Sequence, residues 1–353
     1  MDYKIIKILG SGFLGKVFLI ENKKYNKKYV LKRQKILKKN IKINYKHEIW
    51  REIDFSEFVN TLPKNKIKYF MKMYEYKILY NCNIFSYDYL SKKSAKIANN
   101  FFKDSKYCMD IIYEDKQKDF YTLLKKNNIS LKEKYSFLIQ IFYALDIMKK
   151  NGYSHNDLHP HNIMYNISKD DIKIKGKKIK SKYVYSLIDY GFVNHKKYNL
   201  KRKNVNEFVF LQILNRINIL IEIYKENKWK LNKNNTDPNK MYSQLLEMYK
   251  YKKTWNKIKN KLLNIFPHFS EFYIFFENNL NLKEITNYLW NNDNDANIYI
   301  ETLFLAYNTK KYYEIFDLTK IKKKNFIPGN DIEFIILNFN DYNKLIKYFI
   351  NKI

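Results

Sequence analysis

In the first third of the chain, apolar residues alternate with polar ones or fall in short blocks, the pattern of strands. Residues 5–9 form one such block, which ends in Gly10-Ser11-Gly12-Phe13-Leu14-Gly15. The apolar run resumes over 17–20, breaks at a polar turn over 21–26, and returns at Tyr29-Val30-Leu31-Lys32. A helical period follows over about 45–59, and strand-like segments come back at 69–78 and 108–113. The polar stretch 91–106, carrying Lys, Asn and Ser, reads as a loop or variable insertion.

After Asp115 the period lengthens. Phe120, Leu123 and Leu124 predict a short helix. Over 131–150, Phe137, Ile141, Leu145 and Met148 recur at helical spacing, and Asn151-Gly152 supplies a C-terminal stop. A hydrophobic β run covers 183–188, and helical patterns are predicted near 207–226, 240–264, 269–290, 296–307 and 340–351. Strands first and helices afterwards predict an α+β fold with two lobes.

Composition narrows the class. Hydrophobic residues at 46% and aromatics at 18% describe a globular chain rather than a disordered one. Cys82 and Cys108 are too few for a disulfide framework and lack metal-ligand spacing, so a reducing cytosol or nucleus is the simplest compartment. No secretory leader is evident, and the apolar run 137–148 is shorter than the roughly 20 residues of a membrane span. A soluble intracellular protein is expected. The net charge of +32 suits acidic proteins, nucleic acid or anionic lipid as partners. Lys, Asn, Ile and Tyr are abundant throughout, however, and an A/T-rich genome accounts for much of the excess.

Gly10, Gly12 and Gly15 fit G-x-G-x-x-G, with Val17 two positions on. Glycine lets backbone N–H groups approach phosphate oxygens where a β-carbon would clash. A hairpin turn is the bland alternative. A dinucleotide-binding loop should lead into a helix, whereas here a second strand follows, which favours a flap over nucleotide phosphates. Lys32 lies seventeen residues after Gly15 on the third strand, close enough to reach those phosphates. It needs a carboxylate from the next helix, where Glu48 and Glu52 stand one turn apart; Glu52 is favoured.

The stretch Ser154-His155-Asn156-Asp157-Leu158-His159-Pro160-His161-Asn162 is more specific. Asp157 offers a carboxylate to accept a hydroxyl proton, and Asn162 an amide oxygen for Mg²⁺. Asp189, in Ile188-Asp189-Tyr190-Gly191, adds a second hard oxygen ligand. His155, His159 and His161 invite a zinc reading, but Pro160 interrupts them and no fourth ligand is near. His155 is better read as a brace for the loop.

In order and spacing these motifs resemble the eukaryotic-type protein kinase superfamily, over residues 4 to about 225. The resemblance implies a small β-rich N-lobe over 1–115 and a larger helical C-lobe over 116–353. It implies that Gly10, Ser11, Gly12, Phe13, Leu14, Gly15 and Val17 cover ATP, with Lys32 on its phosphates and paired to Glu52. Asp157 is then the catalytic base, and Asn162 and Asp189 the Mg²⁺ ligands. Tyr113-Glu114-Asp115 becomes the hinge, Glu114 contributing to the ATP site. With the first strand starting near residue 4, no regulatory module is expected ahead of this core.

Two departures mark an atypical member. Asn156 replaces the arginine that receives a phosphorylated activation loop in many kinases, and no Ser or Thr occurs between Asp189 and Asn206. Activity independent of loop Ser/Thr phosphorylation is the expectation. His159 stands where Ser/Thr kinases carry a lysine, and Asp-Leu-His-Pro resembles the loops of haspin-like and of aminoglycoside and choline kinases. No Ala-Pro-Glu motif follows. The implied activity is transfer of the ATP γ-phosphate to a protein hydroxyl, Ser or Thr, on an acidic or nucleic-acid-associated substrate. The alternatives are a small-molecule phosphotransferase of the same fold and a basic kinase-like scaffold without activity. The expected location is cytoplasm or nucleus, in a host cell if the A/T-rich genome is that of a large DNA virus.

Overall fold

Strands β1 (Tyr3–Ser11), β2 (Gly15–Asn22) and β3 (Lys27–Ile36) follow one another as antiparallel neighbours. The polar turn between β2 and β3 is fixed locally, because the Asn22 side-chain oxygen accepts from the Lys24 and Tyr25 amides. With β4 (Met73–Leu79) and β5 (Tyr107–Glu114) they make a five-stranded sheet in the order β1-β2-β3-β5-β4. The computed structural model describes residues 3–12, 15–80, 82, 91–116, 118–125, 129–168, 170–200, 210, 213, 327, 331, 334, 335, 338, 339 and 341–353. The helical patterns expected between 214 and 307 lie outside the described residues.

Strand alternation gives this sheet two different faces. Met73, Met109, Ile111 and Tyr113 join the main core beneath helix α1 (Glu48–Thr61), which presents Ile49, Ile53 and Val59. Phe18, Ile20, Leu31, Cys108 and Ile112 form a second cluster on the other face. A helix covers part of it: α3 (Lys92–Phe102) follows the short α2 (Lys64–Ile67) and contributes Ala98 and Phe102. The expectation of a loop over 91–106 is therefore corrected. Lys93, Lys96 and Asn100 are exposed on an amphipathic helix capped by Ser91.

The cysteines also depart from the expectation. Cys82 and Cys108 are joined in a disulfide, both fully buried in the second cluster. Two cysteines cannot make a framework, but one bridge can staple a single insertion to a strand. Beside it, Arg33 forms a bidentate ion pair with Asp110 at 2.6 and 2.7 Å and donates to the Cys82 carbonyl.

A two-residue strand, β6 (Lys118–Asp119), and α4 (Phe120–Lys125) lead to α5 (Leu131–Lys150). Ser130 caps α5, Lys149 and Lys150 lie in its last turn, and Gly152 adopts a φ of +78° just beyond it. The apolar side of α5 packs against the later helix Tyr342–Ile350, with Tyr135 on Phe349 and Phe142 stacked on Tyr342. Past α5 come β7 (Tyr153–Ser154), β8 (Ile163–Ile167), the β9–β10 hairpin (Ile172–Ile174, Lys177–Ile179), β11 (Tyr183–Leu187) and β12 (Asn194–His195). The architecture is α+β and two-lobed: a β-rich N-terminal region, then helices. Among the described residues no helix is long and apolar enough to cross a membrane.

Candidate active site

The β1–β2 hairpin carries the glycine stretch. Ser11 pairs with Lys16 across the strands, and the Gly12 amide donates to the Gly15 carbonyl at 2.9 Å to close the turn. The Lys16 ammonium donates to the Ser11 hydroxyl at 2.8 Å. A β-carbon on Gly15 would collide with the Arg33 carbonyl oxygen on β3, so only glycine lets the two strands approach. A β-carbon on Gly10 would meet open space, which leaves that side of the hairpin clear. Phe13 and Leu14 lie outside the described residues.

Lys32 lies on β3 directly between Val17 of β2 and Ile111 of β5. Its ammonium donates to both Glu52 oxygens at 2.8 Å and to Asp189 Oδ1 at 3.0 Å. Burial alone would pull the lysine pKa down, but Glu52 and Asp189 hold it above its ordinary value. Glu48, the other carboxylate weighed for this role, lies one turn earlier on α1, where its side chain flanks Gly191.

A second strand pair brings the 154–162 stretch and Asp189 together. β8 and β11 are antiparallel with Ile163 opposite Leu187, so the residues flanking that pair meet: the Ile188 amide donates to the Asn162 carbonyl at 3.0 Å. Asn162 directs its amide nitrogen onto Asp157, at 2.8 Å to the carbonyl and 2.9 Å to Oδ2. The Asn162 amide oxygen is thereby turned away from Asp157. Burial pushes the Asp157 carboxyl up to about 6, and the nearby Asp189 charge adds to the rise. Lys32 holds the Asp189 carboxyl below its usual range. Asn156 (φ 63°) and Asp189 (φ 58°) both adopt left-handed backbone, a strained choice that side-chain bonds must hold in place.

His155 is fully buried, and its Nε2 lies 3.1 Å from the Ile188 carbonyl. Burial lowers its pKa to about 4, so the ring is neutral and ties the loop to the strand before Asp189. His159 accepts from the His161 amide through Nδ1, which leaves Nε2–H facing Asp157 Oδ2 at 3.7 Å. Among the described residues no group of three or more His, Cys, Asp or Glu could hold a metal ion. A magnesium site needs less from the protein. Asn162 Oδ1 and the half-exposed Asp189 carboxylate are hard oxygen donors that suit Mg²⁺, phosphate and water completing its shell.

Three contributors had escaped the sequence reading. Tyr113, near the end of β5 where the hinge is expected, points inward and donates to Glu52 Oε1 at 2.8 Å. Arg51, fully buried, donates to the Gly191 carbonyl from Nε and Nη2 at 3.2 and 2.9 Å. Tyr190 accepts from the Met71 amide and donates to the Leu187 carbonyl, while its ring packs on Phe55 of α1 at 4.7 Å. Glu114 ends β5 with its amide bonded to the Lys72 carbonyl and its carboxylate 2.9 Å from Lys116.

No curated protein matches this chain. A family model described as the protein kinase domain matches residues 3–211.

Proposed function

The chain belongs to the protein kinase domain family, and we propose that it transfers the ATP γ-phosphate to a Ser or Thr hydroxyl of a protein, with Asp157 as the catalytic base. The observation that carries this reading is the convergence of Lys32, Asp157, Asn162 and Asp189 from three separate segments onto one patch. Lys32, aligned by Glu52, holds the α- and β-phosphates under the hairpin of Gly10, Ser11, Gly12, Phe13, Leu14, Gly15 and Val17. Asn162 Oδ1 and Asp189 hold Mg²⁺, which neutralises phosphate charge when bound. Asp157, oriented by the Asn162 amide, accepts the proton of the attacking hydroxyl.

The basic chain steers acidic or nucleic-acid-associated proteins toward this site. Phosphate transfer from labelled ATP to acidic and basic proteins, set beside aminoglycosides and amino alcohols, tests the acceptor class. Labelled Ser or Thr in an acidic protein, with an advantage that shrinks as salt rises, is the expected result. Transfer only to the small molecules would replace this reading with that of a small-molecule phosphotransferase. A fall in transfer of about 10²–10⁴-fold on Asp157→Asn, with ATP binding retained, separates an active enzyme from a scaffold.

A further inference from the structure

Helix α1 makes a contact that the phosphotransfer machinery does not use. Asp54, two residues after Glu52, faces the segment that follows Gly191. Its Oδ2 accepts from the Tyr198 hydroxyl at 2.7 Å and from the Tyr153 hydroxyl at 3.2 Å, and its Oδ1 from the Lys197 ammonium at 2.7 Å. Asp54 and Tyr198 are both largely withdrawn from water. The Tyr198 ring also packs on Tyr45, just ahead of α1, at 4.9 Å. A short helical turn, Lys196–Tyr198, presents the hydroxyl; the His195 side chain caps it, and Asn199 ends it in left-handed backbone.

We propose that Asp54 and Tyr198 form a positioning pair that latches the activation segment to α1 and keeps Glu52 on Lys32 without phosphorylation. The proposal rests on the kinase reading above. Arg51 and Asp54 stand three residues apart and so share one side of α1, with Glu52 beside them. Arg51 grips the Gly191 carbonyl, Glu52 grips Lys32, and Asp54 grips Tyr198. Withdrawing α1 from the site would break all three together.

The sequence around the latch agrees. Asn156, in the place of a phosphate-receiving arginine, spends its amide on Ser154 Oγ at 3.0 Å and on the Phe192 carbonyl at 3.3 Å. Between Asp189 and Asn206 there is no Ser or Thr to phosphorylate, and Tyr198 is the one hydroxyl beyond Tyr190. That hydroxyl is already committed to a carboxylate. A buried hydrogen bond to an ionised acceptor is among the stronger kinds, so this contact can do the tethering that a phosphate–arginine pair does elsewhere.

The test uses the full chain, treated with phosphatase and verified as unphosphorylated by mass spectrometry. Wild type, Tyr198→Phe, Asp54→Ala and Asp54→Asn are compared for kcat and KM on a protein substrate and for backbone hydrogen exchange. The unphosphorylated wild type should be fully active. Tyr198→Phe keeps the ring packing but loses the hydroxyl, and Asp54→Ala loses the acceptor. Each should lower kcat about tenfold with little change in substrate KM. Exchange should quicken in residues 48–61 and 192–199 while 131–150 stays protected, which separates a released latch from a failed fold. Asp54→Asn retains an acceptor oxygen and should keep the greater part of the rate. Wild-type kcat and wild-type exchange in both Tyr198→Phe and Asp54→Ala would overturn the latch, as would a wild type that needs a phosphorylated loop. Faster α1 exchange in variants of a wild type that transfers no phosphate would uphold the latch and sink the kinase reading instead.

Discussion

Tyr113 donates its phenolic hydrogen to Glu52 at 2.8 Å, so the carboxylate that anchors Lys32 is itself held from β5. Both side chains are almost fully buried, and an unsupported buried carboxylate is costly. Glu52 is thus fixed by a cation from one strand and a phenol from the next strand of the sheet. Tyr113→Phe keeps the packing and removes one bond to a charged acceptor, a loss of about 1–2 kcal/mol. The expected result is a several-fold rise in the ATP dissociation constant, measured by titration calorimetry, with the fold intact. An unchanged affinity would mean that Lys32 alone orients Glu52.

The strands around this pair were legible because their period is short and the breaks are sharp. Val17, Lys32 and Ile111 lie side by side on neighbouring strands, and Asp157, Asn162 and Asp189, singled out by spacing, lie close together in the fold. Tyr113 was visible as a residue but not as a partner of Glu52. Sequence alternation gives the face of a strand, whereas strand order decides what that face meets. Helix α3 was hidden for a different reason. Its fully buried apolar residues are Ala95, Ala98 and Phe102, with Phe101 packed beside them, a short stripe that does not stand out among lysines and asparagines. The Cys82–Cys108 bridge depends on the register of β4 against β5, which no local pattern encodes.

Asp157 carries a stability cost beside the chemical role proposed for it. Burial holds its carboxyl near 6 in the fold, against an ordinary value of 3.8. Because the folded value is the higher one, the folded chain binds the proton more tightly than the unfolded chain. Its favourable contribution is present at low pH and lost as pH rises from about 4 through about 6. Asp157→Asn should therefore be more stable than wild type at neutral pH, by up to about 2 kcal/mol, and no more stable at pH ~4. Melting curves of the protein free of metal and nucleotide measure this. The same substitution should cut kcat about 10²–10⁴-fold with ATP affinity little changed. Equal melting temperatures across the whole pH range would refute the buried-carboxylate account.

Reduction of the disulfide acts on the other face of the sheet. Cys82 and Cys108 close a span of 26 residues that includes α3. Opening a loop of that size should cost about 2–4 kcal/mol, through the gain in freedom of the unfolded chain. A reductant, or Cys82→Ser with Cys108→Ser, is expected to lower the melting temperature and speed exchange in residues 91–103. Lys32, Glu52 and Asp189 face the opposite side and keep their contacts, so ATP affinity should fall less than stability does. Identical melting with and without reductant would show that the apolar cluster alone holds α3.

The two ends of the glycine hairpin make opposite predictions, which tests the nucleotide role apart from the fold. At Gly15 a β-carbon would run into the Arg33 backbone carbonyl, which cannot swing aside because β2 and β3 are paired along their length. Gly15→Ala should push the strands apart and destabilise the chain by about 1–3 kcal/mol. At Gly10 a β-carbon meets no protein atom within 4 Å, and alanine restricts the unfolded chain more than glycine does. Gly10→Ala should melt at or slightly above the wild-type temperature. Its added methyl nevertheless borders the clear side of the hairpin, where the proposed phosphates approach the backbone, so ATP affinity should drop. Thermal melting and ATP titration on the two variants together read the difference. If Gly10→Ala binds ATP as tightly as wild type, the hairpin does not lie over the phosphates at Gly10, and its glycines serve the β1–β2 turn alone.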